Sequence, residues 1–170
     1  MKMTSAYANK MLKKLNEDKQ FWRNKEQSGY MYTATADEEP VIPEYDYEKV
    51  AAEITEIDEK ICVIKHAINF ANVTSQIQVG EHTMSVDEIL VKMAQLNNRK
   101  SVLDNMRKQE PKARLCMAYF GQKRPAPEYQ YINYDIELVK NEYERIDGEI
   151  AAMQIALDKY NQTFEFEVAV

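Results

Sequence analysis

Two long stretches of the sequence place apolar residues alternately three and four positions apart. The first stretch, seam 1, consists of Tyr47, Val50, Ile54, Ile57, Ile61, Ile64 and Ile68. The second, seam 2, consists of Ile132, Ile136, Val139, Tyr143, Ile146, Ile150, Met153, Leu157 and Tyr160. This spacing is typical of the a/d stripe of a helix that packs along other helices. The two seams predict helices over residues 46–75 and 131–161, with Asp46 as the N-cap of the first.

Two shorter helices complete the helical pattern. The run Ser85-Val86-Asp87-Glu88 is a capping box, and it predicts a helix over residues 85–108 that ends before Pro111. A further helix is predicted over residues 5–25, preceded by a frayed segment at Met1–Thr4. Its apolar face is formed by Ala8, Met11, Leu15 and Trp22.

Four segments between and after these helices have extended character: residues 30–35, 77–84, 114–120 and 163–170. In residues 163–170 apolar and acidic residues alternate strictly, with Phe164, Phe166 and Val168 on one face of a predicted strand. Residues 77–84 contain Gly80, which is compatible with a turn between two short extended arms. The pattern therefore predicts one mainly α domain over residues 1–170, an elongated antiparallel helical hairpin or bundle with short extended segments.

The lengths of the predicted helices bear on assembly. A helix over residues 46–75 would be about 45 Å long, whereas a compact chain of 170 residues is only about 40 Å across. Seam positions that one chain left uncovered would require a second chain. We therefore expect a homo-oligomer, and the alternative is a self-contained four-helix bundle.

Composition and charge exclude several classes of function. The 170 residues contain two cysteines and two histidines, and no zinc-spaced cluster, nucleotide-binding loop or hydrolase motif occurs. We therefore expect no cofactor and no enzymatic activity. No apolar stretch is long enough for a membrane span, and the N-terminus lacks the apolar region of a secretory signal, so a cytoplasmic protein is expected. A net charge of −6 and a pI near 5.1 disfavour nucleic acid as a partner.

The charge is unevenly distributed. Residues 99–124 carry a net charge of +6, which leaves −12 on the rest of the chain. A positive region on an acidic protein can attract a small anion. The candidate phosphate-binding residues are Arg99, Arg107, Arg114 and Arg124. The candidate stacking residues are Tyr119 and Tyr134, and the candidate amides for polar readout are Asn69 and Asn72. The alternatives are a solvated basic face, tyrosines that fill helix ends, and asparagines that fix helix register.

The order of these features resembles a family of small helical bacterial and phage proteins of unassigned function, some of which are named septicolysin. The resemblance lies in Ile68-Asn69 and Asn72 near the end of a long helix, the turn at Gly80, the opening Ser85-Val86-Asp87-Glu88-Ile89-Leu90, and the final Asn161-Gln162-Thr163. It implies a helical architecture and oligomerisation. It implies no activity, and no helix here has the character of a membrane-active one.

Two functional hypotheses follow. The first is a non-catalytic oligomeric protein that sequesters a small anionic, nucleotide-like ligand in pockets between subunits. The occurrence of the family in phages extends this to the capture of a host immune signal, as an anti-defence sponge. The second is a structural or adaptor coiled-coil protein that docks a protein partner through its seams.

Overall fold

The structure is a computed structural model that describes residues 1–115 and 127–169. Within these residues it is mainly helical, as predicted. The helices are α1 (Ser5–Gly29), α2 (Tyr47–Thr74), α3 (Val86–Arg107) and α4 (Ile136–Thr163). The strands are β1 (Lys2–Thr4), β2 (Gln76–Val79), β3 (His82–Ser85), β4 (Lys112–Arg114), β5 (Tyr129–Tyr131) and β6 (Glu165–Glu167). The chain forms two compact units, one of residues 1–77 and 156–170 and the other of residues 78–155.

Short polar side chains fix where the helices begin. The Asp46 side chain accepts a hydrogen bond from the Lys49 amide at 3.1 Å, as expected of an N-cap. The predicted capping box is also present, because Ser85 Oγ accepts from the Glu88 amide and the Glu88 carboxylate accepts from the Ser85 amide. Helix α4 begins at Ile136, five residues later than the predicted start at 131. The reason is that Asp135 caps the helix and residues 129–131 belong to β5 instead.

In the first unit, α1 and α2 pack as an antiparallel pair. Lys19 of α1 forms an ion pair with Asp58 of α2, and the end of α1 at Gly29 lies against Tyr45, just before α2. The core between the helices is formed by Met3, Ala8, Leu12, Ile64, Ala71, Phe166 and Val168. Seam 1 faces this core, since Ile64 belongs to it and Ile61 and Ile68 pack against it.

Strands from the two ends of the chain close the first unit. β1 pairs antiparallel with β6, with Met3 opposite Phe166, and both side chains are buried. The Met1 amine donates to the Val168 carbonyl oxygen at 2.6 Å, and the Val168 amide donates to the Met1 carbonyl oxygen. The prediction that Met1–Thr4 is frayed was therefore wrong, because these residues gain a backbone partner from the opposite end of the sequence.

In the second unit, α3 and α4 pack antiparallel around Leu103, Val139 and Ile146. Ion pairs link the helices, from Lys92 to Glu149 at 2.5 Å and from Lys100 to Asp147. Seam 2 supplies buried residues to both units. They are Val139, Ile146 and Met153 in the second unit and Leu157 and Tyr160 in the first.

The extended segments agree only partly with the sequence pattern. β2 and β3 form the expected hairpin, in which Gly80 adopts a φ of 58°, a conformation that suits glycine. No strand forms over residues 30–35 of the described chain. The predicted strand at 114–120 falls largely on residues 116–126, outside the described residues, while β4 covers Lys112–Arg114.

The burial of the seams bears on assembly. Both seams supply buried side chains within a single chain, so those buried positions do not require a second copy to shield them. The homo-oligomer and the single domain remain predictions. An interface between copies would have to use surfaces other than the buried seam positions.

Candidate functional site

The hairpin of β4 and β5 presents charged and aromatic side chains on one face. The strands pair antiparallel, with Lys112 opposite Tyr131 and Arg114 opposite Tyr129. Directly opposed side chains lie on the same face of a two-stranded sheet, and residues two apart on one strand also share a face. Lys112, Arg114, Tyr129 and Tyr131 therefore form one surface, here called the ribbon face, and all four are exposed.

The ribbon face is held together by contacts between its cations and its rings. Lys112 Nζ lies 4.2 Å from the centroid of the Tyr129 ring and 5.6 Å from that of Tyr131. A lysine ammonium within about 6 Å of an aromatic ring is attracted by the electron density of the ring face. The ribbon face thus combines two aromatic rings, on which a planar group can stack, with the positive charges of Lys112 and Arg114.

The ribbon begins directly after α3. The Pro111 carbonyl oxygen accepts a hydrogen bond from the Ile132 amide at 3.3 Å, which continues the pairing beyond Lys112 and Tyr131. The Leu115 amide donates to the Glu128 carbonyl oxygen at the other end. The ribbon face is therefore carried on a paired backbone that starts four residues after a stable helix.

Arg107, at the end of α3, is a predicted phosphate ligand whose charge is balanced within the chain. Its Nε and Nη2 donate to Asp104 Oδ1 at 2.9 and 2.7 Å, and its guanidinium carbon lies 4.0 Å from the centroid of the Tyr143 ring. Lys108 also pairs with Asp104, and hydrogen bonds from Lys108 and then Arg107 lower the pKa of that carboxyl. Asp104 therefore compensates the charge of Arg107, which leaves this arginine less able than Lys112 or Arg114 to attract an anionic ligand.

Tyr134, a predicted stacking residue, is half-buried against the Leu103, Val139 and Ile146 core. Its hydroxyl donates to the Met106 carbonyl oxygen at 2.7 Å, which ties the segment before α4 to the last turn of α3. The same carbonyl oxygen also accepts from the Gln109 amide at 3.1 Å, so both contacts fix the end of α3.

The remaining predicted site residues are dispersed. Arg99 is exposed on α3 in the second unit, and Arg114 belongs to the ribbon face. Asn69 is exposed and Asn72 half-buried on α2, in the first unit. Tyr119 and Arg124 lie outside the described residues.

The structure therefore brings Arg114 together with three residues that were not selected as site residues from the sequence. Lys112 and Arg114 are two apart, as are Tyr129 and Tyr131, and this spacing places each pair on one side of a strand. This spacing was the sequence feature from which the two pairs could have been selected. The sequence does not show that the two pairs face each other, because that depends on the register between β4 and β5.

A metal centre is not suggested by the described part of the chain. In residues 1–115 and 127–169, no three histidine, cysteine, aspartate or glutamate side chains come close enough together to hold a metal ion. None of the helices in these ranges combines the length and apolar character that a membrane crossing requires.

The fold is similar to that of one protein of known structure. No family model matches the chain, and no curated protein matches it. The similar structure is described as the crystal structure of a functionally unknown conserved protein from Corynebacterium diphtheriae. The TM-score is 0.64 at 12% sequence identity, over 98% of this chain and 100% of the other. At this identity the likeness shows a shared fold and carries no function.

Proposed function

We propose that the protein is a non-catalytic binding protein for a small anionic, nucleotide-like ligand, and that the ribbon face holds this ligand. The observation that carries the proposal is the exposed pairing of Lys112 and Arg114 with Tyr129 and Tyr131 on one face. Lysine and arginine bind phosphate by charge-assisted hydrogen bonds, and tyrosine rings stack on bases. The four side chains thus match the two chemical parts of a nucleotide.

Charge supports a small ligand rather than a polymer. The chain as a whole carries −6, so a long phosphate backbone would be repelled by most of its surface. A mononucleotide or cyclic dinucleotide needs only a local positive region.

The wider form of the proposal is sequestration by a homo-oligomer, in pockets between subunits. It includes capture of an immune nucleotide of the host by a phage protein. The resemblance to a bacterial and phage family motivates this extension.

Calorimetry with a panel of mono-, di- and cyclic nucleotides tests the proposal. At least one member should bind, and its mass should be unchanged after incubation because no turnover is expected. Lys112→Ala, Arg114→Gln and Tyr131→Ala should each weaken binding by about tenfold, from the loss of one charged hydrogen bond or one stacked ring. Lys140→Ala removes an exposed lysine, which pairs with Glu137 on α4 of the same unit, and should leave binding unchanged. Absence of binding to every nucleotide would refute the proposal.

A second candidate is an adaptor that docks a protein partner, and an exposed apolar stripe on α2 favours it. Val63, Phe70 and Val73 are 37%, 65% and 60% exposed, and their spacing of seven and three places them on one side of the helix. The matching test is Phe70→Asp, which should abolish co-purification of a partner. Ile57→Asp is a poor test because Ile57 is buried, and its substitution would unfold the chain.

A further inference from the structure

A cavity of about 500 Å³ lies in the first unit, between the end of α1 and the start of α2. This is within the usual range of small-molecule sites, about 300–1,000 Å³. Three tyrosine side chains line it, Tyr30, Tyr45 and Tyr47, together with Arg23 and Glu26. It shares no residue with the ribbon face.

A close contact at the end of α1 positions one wall of the cavity. A Cβ atom added at Gly29 would lie 2.7 Å from the Tyr45 Cβ and 2.9 Å from its Cγ. The absence of a side chain at Gly29 is therefore what allows Tyr45 to pack directly on the helix. Tyr47 follows as the first residue of α2, and Tyr30 is the C-cap of α1.

Acidic side chains lie close enough to Tyr45 to affect its phenol. Partial burial raises the pKa of the Tyr45 phenol, and the nearby charges of Glu26 and Asp46 raise it further. The C-terminal end of α1 adds partial negative charge from its unpaired carbonyl groups. No basic residue lies in the last turn of that helix to offset this charge.

We propose that this cavity binds a small quaternary-ammonium ligand, with its cation among the three tyrosine rings beside Glu26. Aromatic side chains attract such cations through the negative faces of their rings, and a quaternary ammonium has no N–H group that needs a hydrogen bond. A metal ion would need several ligand side chains close together, and no such group of histidine, cysteine, aspartate or glutamate occurs in residues 1–115 and 127–169.

Arg23 extends the proposal to a zwitterionic ligand. It lines the same cavity, and no ion pair to it is present within residues 1–115 and 127–169. Its guanidinium is therefore available for an anionic group at the other end of the ligand. Phosphocholine carries both groups a few bonds apart, whereas choline carries the cation alone.

Titration of the full-length protein, followed by NMR chemical shifts, tests the proposal with three probes. They are phosphocholine, choline and 3,3-dimethyl-1-butanol, the uncharged carbon analogue of choline. We expect saturable shifts with phosphocholine and choline, and at least tenfold weaker binding of the alcohol. Equal binding of the alcohol, or no saturation by either cation at about 10 mM, would overturn the proposal.

Variants separate the roles of the lining residues. Tyr47→Ala should weaken binding of both cations about two- to fivefold, which is the usual scale of one cation–π contact at an exposed ring, since Tyr47 is 66% exposed. Tyr7→Ala is the matched control, since Tyr7 is an exposed tyrosine of α1 outside the cavity. Arg23→Gln should weaken phosphocholine and leave choline unchanged. Equal effects of Tyr47→Ala and Tyr7→Ala would contradict a site at this position.

The two proposals fail separately. Nucleotide binding by the ribbon face is weakened in Lys112→Ala and unchanged in Tyr47→Ala, whereas quaternary-ammonium binding is weakened in Tyr47→Ala and unchanged in Lys112→Ala. Each variant therefore serves as a folded control for the other ligand, and a single titration series distinguishes the failure of one site from the failure of both.

Discussion

Substitution of Ile64 by alanine tests whether seam 1 packs within a single chain. Ile64 is fully buried in the core between α1 and α2. Ile64→Ala removes three carbon atoms, and at about 0.8 kcal/mol for each this costs about 2.4 kcal/mol in transfer free energy alone. The cavity left behind adds to the cost, so we expect a total loss of about 3–4 kcal/mol.

The measurement is urea unfolding followed by circular dichroism, at protein concentrations that differ by a factor of about 100. The matched control is Val63→Ala on the adjacent residue, which is 37% exposed and should lose well under half as much. If Ile64 contacts only its own chain, the difference between variant and wild type should not change with concentration. In thermal unfolding the same loss corresponds to a decrease in Tm of about 10 °C for a chain of this size.

Two results would refute this reasoning. A loss below about 1 kcal/mol would mean that the Ile64 side chain is not buried as the structure describes. A difference between variant and wild type that shrinks as the protein is diluted would mean that a second copy covers this part of seam 1, because an interface residue stabilises only the associated form.

Two glycines should respond to alanine with opposite signs. Gly80→Ala should destabilise the protein by about 1 kcal/mol, because a φ of 58° is strained for a residue with a side chain. Gly148→Ala should stabilise it by about as much, because Gly148 lies inside a helix and an added Cβ would meet nothing within 4 Å. Thermal unfolding of both variants checks this, and a shared sign would be inconsistent with it. Ser85→Ala should cost about 1 kcal/mol at neutral pH through loss of the α3 cap. The Ser85 backbone amide and then its hydroxyl donate hydrogen bonds to Glu88 and lower the pKa of that carboxyl, so the contribution of these two bonds is present above the ordinary pKa of 4.5 and is lost as the pH falls through the lowered value. Of these two bonds Ser85→Ala removes only the hydroxyl bond, so in urea unfolding the difference between wild type and variant should narrow, without vanishing, from neutral pH to pH 3; a constant difference would argue against the contact between the Ser85 hydroxyl and Glu88.

The helix boundaries show which features of the fold can be predicted from neighbouring residues in the sequence. Asp46 and Ser85 cap their helices as predicted, because a cap is made with backbone amides only three residues away. The start of α4 was predicted too early, since Ile132 continues the apolar spacing of seam 2. Tyr131 instead pairs with Lys112, a residue far away in sequence, and Asp135 then starts the helix.

The candidate sites also combine features that nearby residues determine with features that depend on distant parts of the chain. The positive charge of residues 99–124 was visible in the sequence, and Arg114 was selected from it. Arg107 was selected on the same grounds, but it forms an ion pair with Asp104, three residues earlier on the same helix. Neither Lys112 nor the cavity beside Tyr45 was selected, because their partners are set by strand register and by the path between α1 and α2.

The sequence by itself determined the four helices, the N-caps of α2 and α3, and the apolar faces that the helices bury. These properties depend on hydrogen bonds and side-chain spacing within one or two helical turns, so the order of residues is sufficient to specify them. Only the tertiary structure decided that the termini pair with each other, that Lys112 meets two tyrosine rings, and that three tyrosines surround one cavity. Those arrangements require segments distant in the sequence to come together, and no local pattern states which segments will meet.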